Sequence, residues 1–373
     1  MPREKPTKRR RIIKLSDLLQ LSDCVEPSLS IKPFETVSES TPDGHSIYEH
    51  NELSITGDPS DSVKFLMPWD DPQQLHFLKS IVPISTEGFY SLFVNRSPEQ
   101  CHEESLQAAR SVDWHKARAF SVTASQFGST VGHNKYMSKD KLLFNKLHPH
   151  VREDRGQEYI QWGVEHEVHA EEAFVAFLQK KECNFKIDHP GLLKDPTCSW
   201  TACSPDGILR RFENGVEIVE LIEYKAPAYY RSATHHPYQK SLYNIPPMYL
   251  DQMQGSMWII KNRTVIPNGH TLKGGWFVVW QPHSVHVTYV PYVQDYTNAL
   301  MEGVKGFFED DFVPACVKTI NEVGVEKNIK CAHCDTFIPS NTLTFCCNQP
   351  VCFECFRWRQ FIDKLPAITN KTT

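Results

Sequence analysis

Apolar positions along this chain follow two rhythms, one helical and one alternating. Between Trp162 and Phe177 they fall at Val164, Val168, Ala173, Phe174 and Phe177, a spacing that predicts a long helix. Asp71 ahead of Pro72 predicts a capped helix over Pro72–Val82, and Ser97-Pro98 opens another. Pro246-Pro247 precedes a third apolar-periodic stretch, Met248–Ile260, and Gln294–Phe308 gives a fourth. The texture then changes between these segments. Ile208–Phe212, the turn Glu213-Asn214-Gly215 and Val216–Tyr224 read as strand, tight turn and strand, because Asn-Gly supplies the positive φ angles of a hairpin turn. Val278–Trp280 and Val285–Tyr289 read as later strands. Helices alternating with strands over about residues 65–322 predict an α/β domain, with a central sheet flanked by helices.

Composition refines this picture at the two ends. The chain has 373 residues, 40% of them hydrophobic, enough for one large core plus appendages. Residues 1–62 are dense in Ser, Pro, Thr and charge without periodicity and are expected to be a disordered leader. Its Lys8-Arg9-Arg10-Arg11 cluster resembles a nuclear import signal, although a solvated or DNA-touching tail has the same composition. A net charge of −5 argues against coating nucleic acid by bulk charge, but a groove needs only a local basic lining. No apolar run reaches the roughly 18–20 residues of a membrane span. With no export signal, an intracellular location is expected, and the 12 cysteines read as thiols or zinc ligands.

The chemistry concentrates in Ser204-Pro205-Asp206-Gly207, the hairpin, and Glu223-Tyr224-Lys225-Ala226-Pro227. Alternate side chains on a strand share a face, so Glu223 and Lys225 point the same way, with Asp206 at the turn entering the hairpin. Two carboxylates and an ammonium converging there suit hydrolysis of a phosphodiester with a hard divalent cation, Mg²⁺ or Mn²⁺. Glu217 and Glu220 on the same strand are rivals for the carboxylate position, and a Glu-x-Lys pair alone is equally well a surface ion pair.

Four ordered blocks over roughly residues 114–290 are similar to the phage lambda exonuclease, YqaJ and viral alkaline nuclease branch of the PD-(D/E)XK superfamily. They are Arg118-Ala119-Phe120-Ser121-Val122-Thr123-Ala124-Ser125, Trp162-Gly163-Val164-Glu165-His166-Glu167 continuing to Ala170, Thr201-Ala202-Cys203-Ser204-Pro205-Asp206-Gly207 leading to Glu223-Tyr224-Lys225, and Gln252-Met253-Gln254-Gly255-Ser256-Met257-Trp258. The resemblance implies a restriction-endonuclease-like core. It implies that Glu167 supports the metal site, that Asp206 and Glu223 bind the metal, that Lys225 is the catalytic lysine and that Gln252 organises the site. It further implies that Arg118, Thr123 and Ser125 hold the 5′-phosphate of a DNA end, and that Asp195 is an auxiliary acidic residue at a looser spacing. The gap from Asp206 to Glu223 is longer than in the compact phage enzyme, a difference the hairpin absorbs. Bland readings stand beside these roles: Thr123-Ala124-Ser125 as a helix cap, Gln252 and Gln254 as solvent-facing, and Glu165, Glu171 or Glu172 in place of Glu167.

Near the C-terminus, Cys331-Ala332-His333-Cys334 and Cys352-Phe353-Glu354-Cys355 form two C-x-x-C pairs, which read as a zinc site on Cys331, Cys334, Cys352 and Cys355. The segment resembles a treble-clef finger. Cys346 or Cys347 could replace one ligand, and two zinc ions at four ligands each need more than the seven Cys and His side chains available. The expected organisation is therefore a leader over 1–62, a nuclease domain over 63–325 with its core at about 114–310, and a small zinc module over 326–373. The expected activity is a metal-dependent deoxyribonuclease on duplex DNA that resects ends 5′ to 3′, with a single-strand annealing protein as partner and a homo-oligomer as one option. A structure-specific or nicking endonuclease, and a non-catalytic zinc-dependent nucleic-acid or protein-binding module, are the alternatives. His235-His236 is a further loop that is either near the DNA or simply at the surface.

Overall fold

The computed structural model describes residues 66–107, 111–149, 157–181, 184–213, 215–228, 238, 245–262, 271–282 and 284–324, with four short strands between 329 and 351. In chain order the helices are α1 (Pro72–Ile81), α2 (Thr86–Phe89), α3 (Pro98–Ser105), α4 (Val112–Ala119), α5 (Ala124–Thr130), α6 (Lys139–Leu147), α7 (Gln157–Lys180), α8 (Pro247–Asn262), α9 (Gln294–Phe307) and α10 (Val313–Gly324). The strands are β1 (Val122–Thr123), β2 (Phe185–Asp188), β3 (Leu193–Lys194), β4 (Thr201–Cys203), β5 (Gly207–Glu213), β6 (Val216–Lys225), β7 (Thr271–Gln281), β8 (Ser284–Pro291), β9 (Ile329–Lys330), β10 (Phe337–Ile338), β11 (Thr344–Cys346) and β12 (Gln349–Val351). They form two compact units, one spanning Leu92–Asp311 and the other joining Leu66–Ser91 to the residues from Phe312 onward.

The first unit is built on a mixed five-stranded sheet in the order β2-β5-β6-β7-β8. The β5–β6 hairpin forms as its turn chemistry predicts, with Gly215 at φ +79° where a side chain would be strained. Within this sheet only the β6–β7 pair is parallel, and the crossover this demands carries α8. Period-two alternation splits β6 between two helices. Ile222 and Tyr224 pack with Leu209, Val278 and Val287 under Ala170, Phe174, Phe177 and Leu178 of α7. The opposite face carries Glu223 and Lys225 toward α8, whose Gln252 reaches Glu223. Strand β7 extends well beyond the predicted Val278–Trp280, because Thr271–Gly275 complete the ladder on β6.

A second sheet, β1-β4-β3, has no counterpart in the sequence reading. Its strands are two or three residues long, too short for alternation to register. Its β1 and β4 run parallel, pairing Val122 with Thr201 and Thr123 with Ala202. Their carboxyl ends therefore deliver Thr123 and Ser204 to the same edge.

Helices α5 and α8 approach almost backbone to backbone. A Cβ on Gly255 would lie 2.3 Å from the Phe127 ring, and one on Gly128 would lie 2.9 Å from the Met248 Cα. Beside this contact the buried Asp251 carboxylate meets His133 Nδ1 at 2.9 Å and accepts the Tyr296 hydroxyl of α9. In the second unit, Asn321 of α10 clips the loop between α1 and α2, accepting from Ile84 N at 2.8 Å and donating to Ile84 O at 3.1 Å.

The hydrogen bond to Asp251 raises the His133 pKa above the usual imidazole value. The charged pair therefore stabilises the fold fully below the unfolded-state pKa of about 6.5, and this is lost as pH rises through the higher folded value. In urea unfolding, the stability gap between wild type and His133→Ala is expected to be larger at pH 6 than at pH 9.

Candidate active site

Strand β6 ends in a buried carboxylate whose two oxygens have different fates. Glu223 Oε1 accepts from Lys225 Nζ and from Gln252 Nε2 at 2.5 Å. Glu223 Oε2 is buried with no hydrogen-bond partner. Lys225 also donates to the Tyr224 carbonyl at 3.0 Å and lies 5.1 Å from the centre of the Tyr249 ring. Asp206 stands directly beyond the last β5–β6 pair, Gly207 with Ile222, and its Oδ2 accepts the Tyr224 N–H at 2.7 Å. Its side chain thus continues the ladder where the backbone turns away.

Burial pushes the Glu223 carboxyl up to about 7, aided by the charge of Asp206 and opposed by Lys225; Glu167 adds to the rise. Burial pulls the Lys225 ammonium down, but the charges of Glu223 and Asp206 outweigh it and hold its pKa above the usual lysine value. Two carboxylates so placed favour a nearby cation beyond the single lysine, and their hard oxygens suit Mg²⁺ or Mn²⁺. The unpartnered Oε2 is the atom such a cation would satisfy. Among the described residues no three His, Cys, Asp or Glu side chains close into a ready-made metal cage.

One pocket gathers most of the remaining predicted residues. Arg118, Thr123, Ser125, Glu167, Asp206 and Gln252 all line it, together with Trp114 and Ser204. Arg118, in the last turn of α4, lies 3.7 Å over the Trp114 ring one turn earlier. Thr123 takes the helix-cap position and also lines the pocket. It is the N-cap of α5, its N–H bonded to Gln126 Oε1 at 3.1 Å, and its hydroxyl meets Ser125 Oγ at 3.1 Å on the pocket wall.

The competing acidic residues are accounted for elsewhere. Glu220 points to the opposite face of β6, where Arg211 grips both its oxygens at 2.9 Å and Trp276 Nε1 donates at 3.0 Å. Glu217 lies 3.5 Å from Arg210. Gln161 donates to Glu165 at 2.7 Å, Glu172 lies 3.3 Å from His169, and Glu171 pairs with His189. Asp195 caps the turn Pro196–Cys198 through the Thr197 N–H and hydroxyl, at the end of β3 away from Ser204, and does not line the pocket. Gln254 is buried but structural, tying Pro291 O, Val293 N and Thr297 together.

Three supporting residues escaped the sequence reading. His189 donates to the Asp206 carbonyl at 3.0 Å and meets Glu171 of α7 at 3.1 Å, and the Glu171 bond raises its pKa. Lys146 is buried and donates to Ser121 O at 2.7 Å, holding the segment between Arg118 and Thr123. Tyr249, one helical turn before Gln252, faces Lys225. Only Tyr249 had a usable signal, its i, i+3 spacing from Gln252. Cys331, Cys334, Cys352, Cys355, Cys347, His235, His236 and the Lys8–Arg11 cluster lie outside the described residues. No described helix is long and apolar enough to cross a membrane.

The sequence profile of the YqaJ-like viral recombinase domain matches residues 113–264, a span that includes the whole pocket with Glu223 and Lys225. No curated protein sequence matches the chain. Among solved structures, an alkaline exonuclease from Laribacter hongkongensis is similar at 21% identity over 57% of this chain and 97% of its own, with a TM-score of 0.42. The same enzyme in complex with dAMP gives 19% identity, the same coverage and a TM-score of 0.43. The shutoff and exonuclease protein from Kaposi's sarcoma-associated herpesvirus gives 9% identity over 64% of this chain and 75% of its own, with a TM-score of 0.31.

Removing Arg211 leaves the fully buried Glu220 charge with only the Trp276 donor. Arg211→Met is therefore expected to lower stability by about 3 kcal/mol or more in urea unfolding, the usual cost of breaking a buried pair.

Proposed function

We propose that the chain is a divalent-metal-dependent deoxyribonuclease that resects duplex DNA from 5′-phosphorylated ends. The observation that carries this reading is the Glu223 carboxylate. One oxygen is held by Lys225 and Gln252, the other is buried and unpartnered, and Asp206 stands beside it. The match of residues 113–264 to the YqaJ-like viral recombinase domain supports the same reading.

In this mechanism Asp206 and Glu223 would hold Mg²⁺ or Mn²⁺, and Glu167 would contribute from the pocket wall. A bound cation of this kind polarises phosphoryl oxygens and lowers the pKa of water. Gln252 and Lys225 fix Glu223 by one oxygen, so that the other keeps its direction. Lys225 stays protonated through the charges beside it and brings positive charge to the reacting phosphate. Arg118, Thr123 and Ser125 hold the terminal 5′-phosphate. Attack of water on the next phosphorus breaks its bond to O3′ of the first nucleotide, which leaves with a proton as a 3′-hydroxyl. The shortened strand then carries a new 5′-phosphate, the group the pocket grips.

The same reading includes a structural zinc ion on Cys331, Cys334, Cys352 and Cys355. Each C-x-x-C pair begins directly after a strand, β9 ending at Lys330 and β12 at Val351, which supports a zinc-clipped module. A single-strand annealing protein would take up the exposed strand, a second copy of the chain could assemble with the first, and Lys8–Arg11 would direct nuclear import.

The test uses linear duplex DNA with a labelled 5′-phosphorylated end, with Mg²⁺ or with chelator. Wild type is expected to release mononucleotides only with the metal, and Lys225→Ala to lose at least about 100-fold in rate while still binding DNA. Cuts made equally well on circular DNA would replace the exonuclease with an endonuclease. Cleavage indifferent to Lys225 would refute the assignment of the site.

A further inference from the structure

Helix α8 presents adjacent residues to two different surroundings. Gln252 lines the pocket and donates to Glu223, while Asp251, rotated about 100° around the helix, is fully buried on the side of α5 and α9. Asp251 Oδ2 meets His133 Nδ1 at 2.9 Å and Oδ1 accepts the Tyr296 hydroxyl. His133 belongs to the turn that ends α5. Its N–H and that of Asn134 both return to Gly128 O, at 2.7 and 3.0 Å, and Gly132 allows the turn with φ +82°. At its other end α5 carries Thr123 and Ser125. The Gly255–Phe127 and Gly128–Met248 contacts bring the two helices close together beside this carboxylate.

A carboxylate in so dry a place is costly unless it is held, and here both oxygens are held by elements flanking the end-gripping helix. We propose that Asp251 is a positioning residue that registers α8 on α5, so that Gln252 aims Glu223 at a fixed distance from Arg118, Thr123 and Ser125. The joint makes efficient cleavage depend on a seated DNA end and fixes the length of the first product. This rests on the exonuclease reading above.

The test compares full-length wild type with His133→Ala and Tyr296→Phe, each of which removes one of the two restraints and neither of which lines the pocket. The readouts are kcat/KM on duplexes with a 5′-phosphate and with a 5′-hydroxyl, and the length of the first product. Wild type is expected to prefer the phosphorylated end and release a mononucleotide. In the variants the preference is expected to fall by about tenfold, since misplacement of about 1 Å can cost up to roughly 100-fold, and dinucleotides are expected among the first products. Thermal unfolding identifies any variant that fails to fold, and the milder Tyr296→Phe keeps the test open in that case. Variants that lose rate equally on both duplexes, with unchanged first products, would show a merely structural joint and overturn the proposal. A wild type that cleaves without preferring the phosphate would instead overturn the end-gripping reading, and the joint with it.

Discussion

Burying a carboxylate is expensive, and this fold does it at Glu223 in a way that only part of the surroundings repays. Lys225 and Gln252 satisfy one oxygen and nothing among the described residues satisfies the other. The neighbouring architecture follows from that requirement. The β5–β6 hairpin sets Asp206 opposite Glu223, the parallel β6–β7 pair buries the strand on both faces, and the crossover this pairing demands supplies the helix that carries Gln252. Such a placement costs stability, because the most favourable packing for the strand end would be apolar.

Glu220 shows how the same strand treats a charge that has a purely structural role. It is as buried as Glu223, but Arg211 and Trp276 satisfy both of its oxygens. Two glutamates three residues apart therefore lie on opposite faces of one strand with opposite outcomes, one neutralised and one held open. The difference comes from strand alternation followed by what each face meets, an arginine on the neighbouring β5 or a helix with a glutamine.

That alternation was legible in the sequence, and so was much of the site. The Asn214-Gly215 turn marked where β6 begins, and the period of two then placed Glu223 with Lys225 on one face, whereas Glu220, a rival by residue type, proves to lie on the other. The helical rhythm and the caps at Asp71 and Ser97 located their helices closely. What could not be read were features created by pairing between distant segments. The strands β1, β3 and β4 are too short to carry a rhythm, yet the β1–β4 pairing brings Thr123 beside Ser204. His189, Lys146 and the His133–Asp251–Tyr296 cluster act through single contacts spanning 17 to 118 residues, which no local pattern announces.

The clip between Asn321 and Ile84 bears on the order in which the chain matures. Ile84 offers both its backbone groups to one side chain 237 residues downstream, so α1 and α2 emerge from the ribosome long before their fastener exists. The Leu92–Asp311 unit, by contrast, contains the partners of its own sheet and helices and can assemble as it is made. Synthesis thus completes the partners of the Leu92–Asp311 unit first, while α1 and α2 gain their fastener only when α10 arrives.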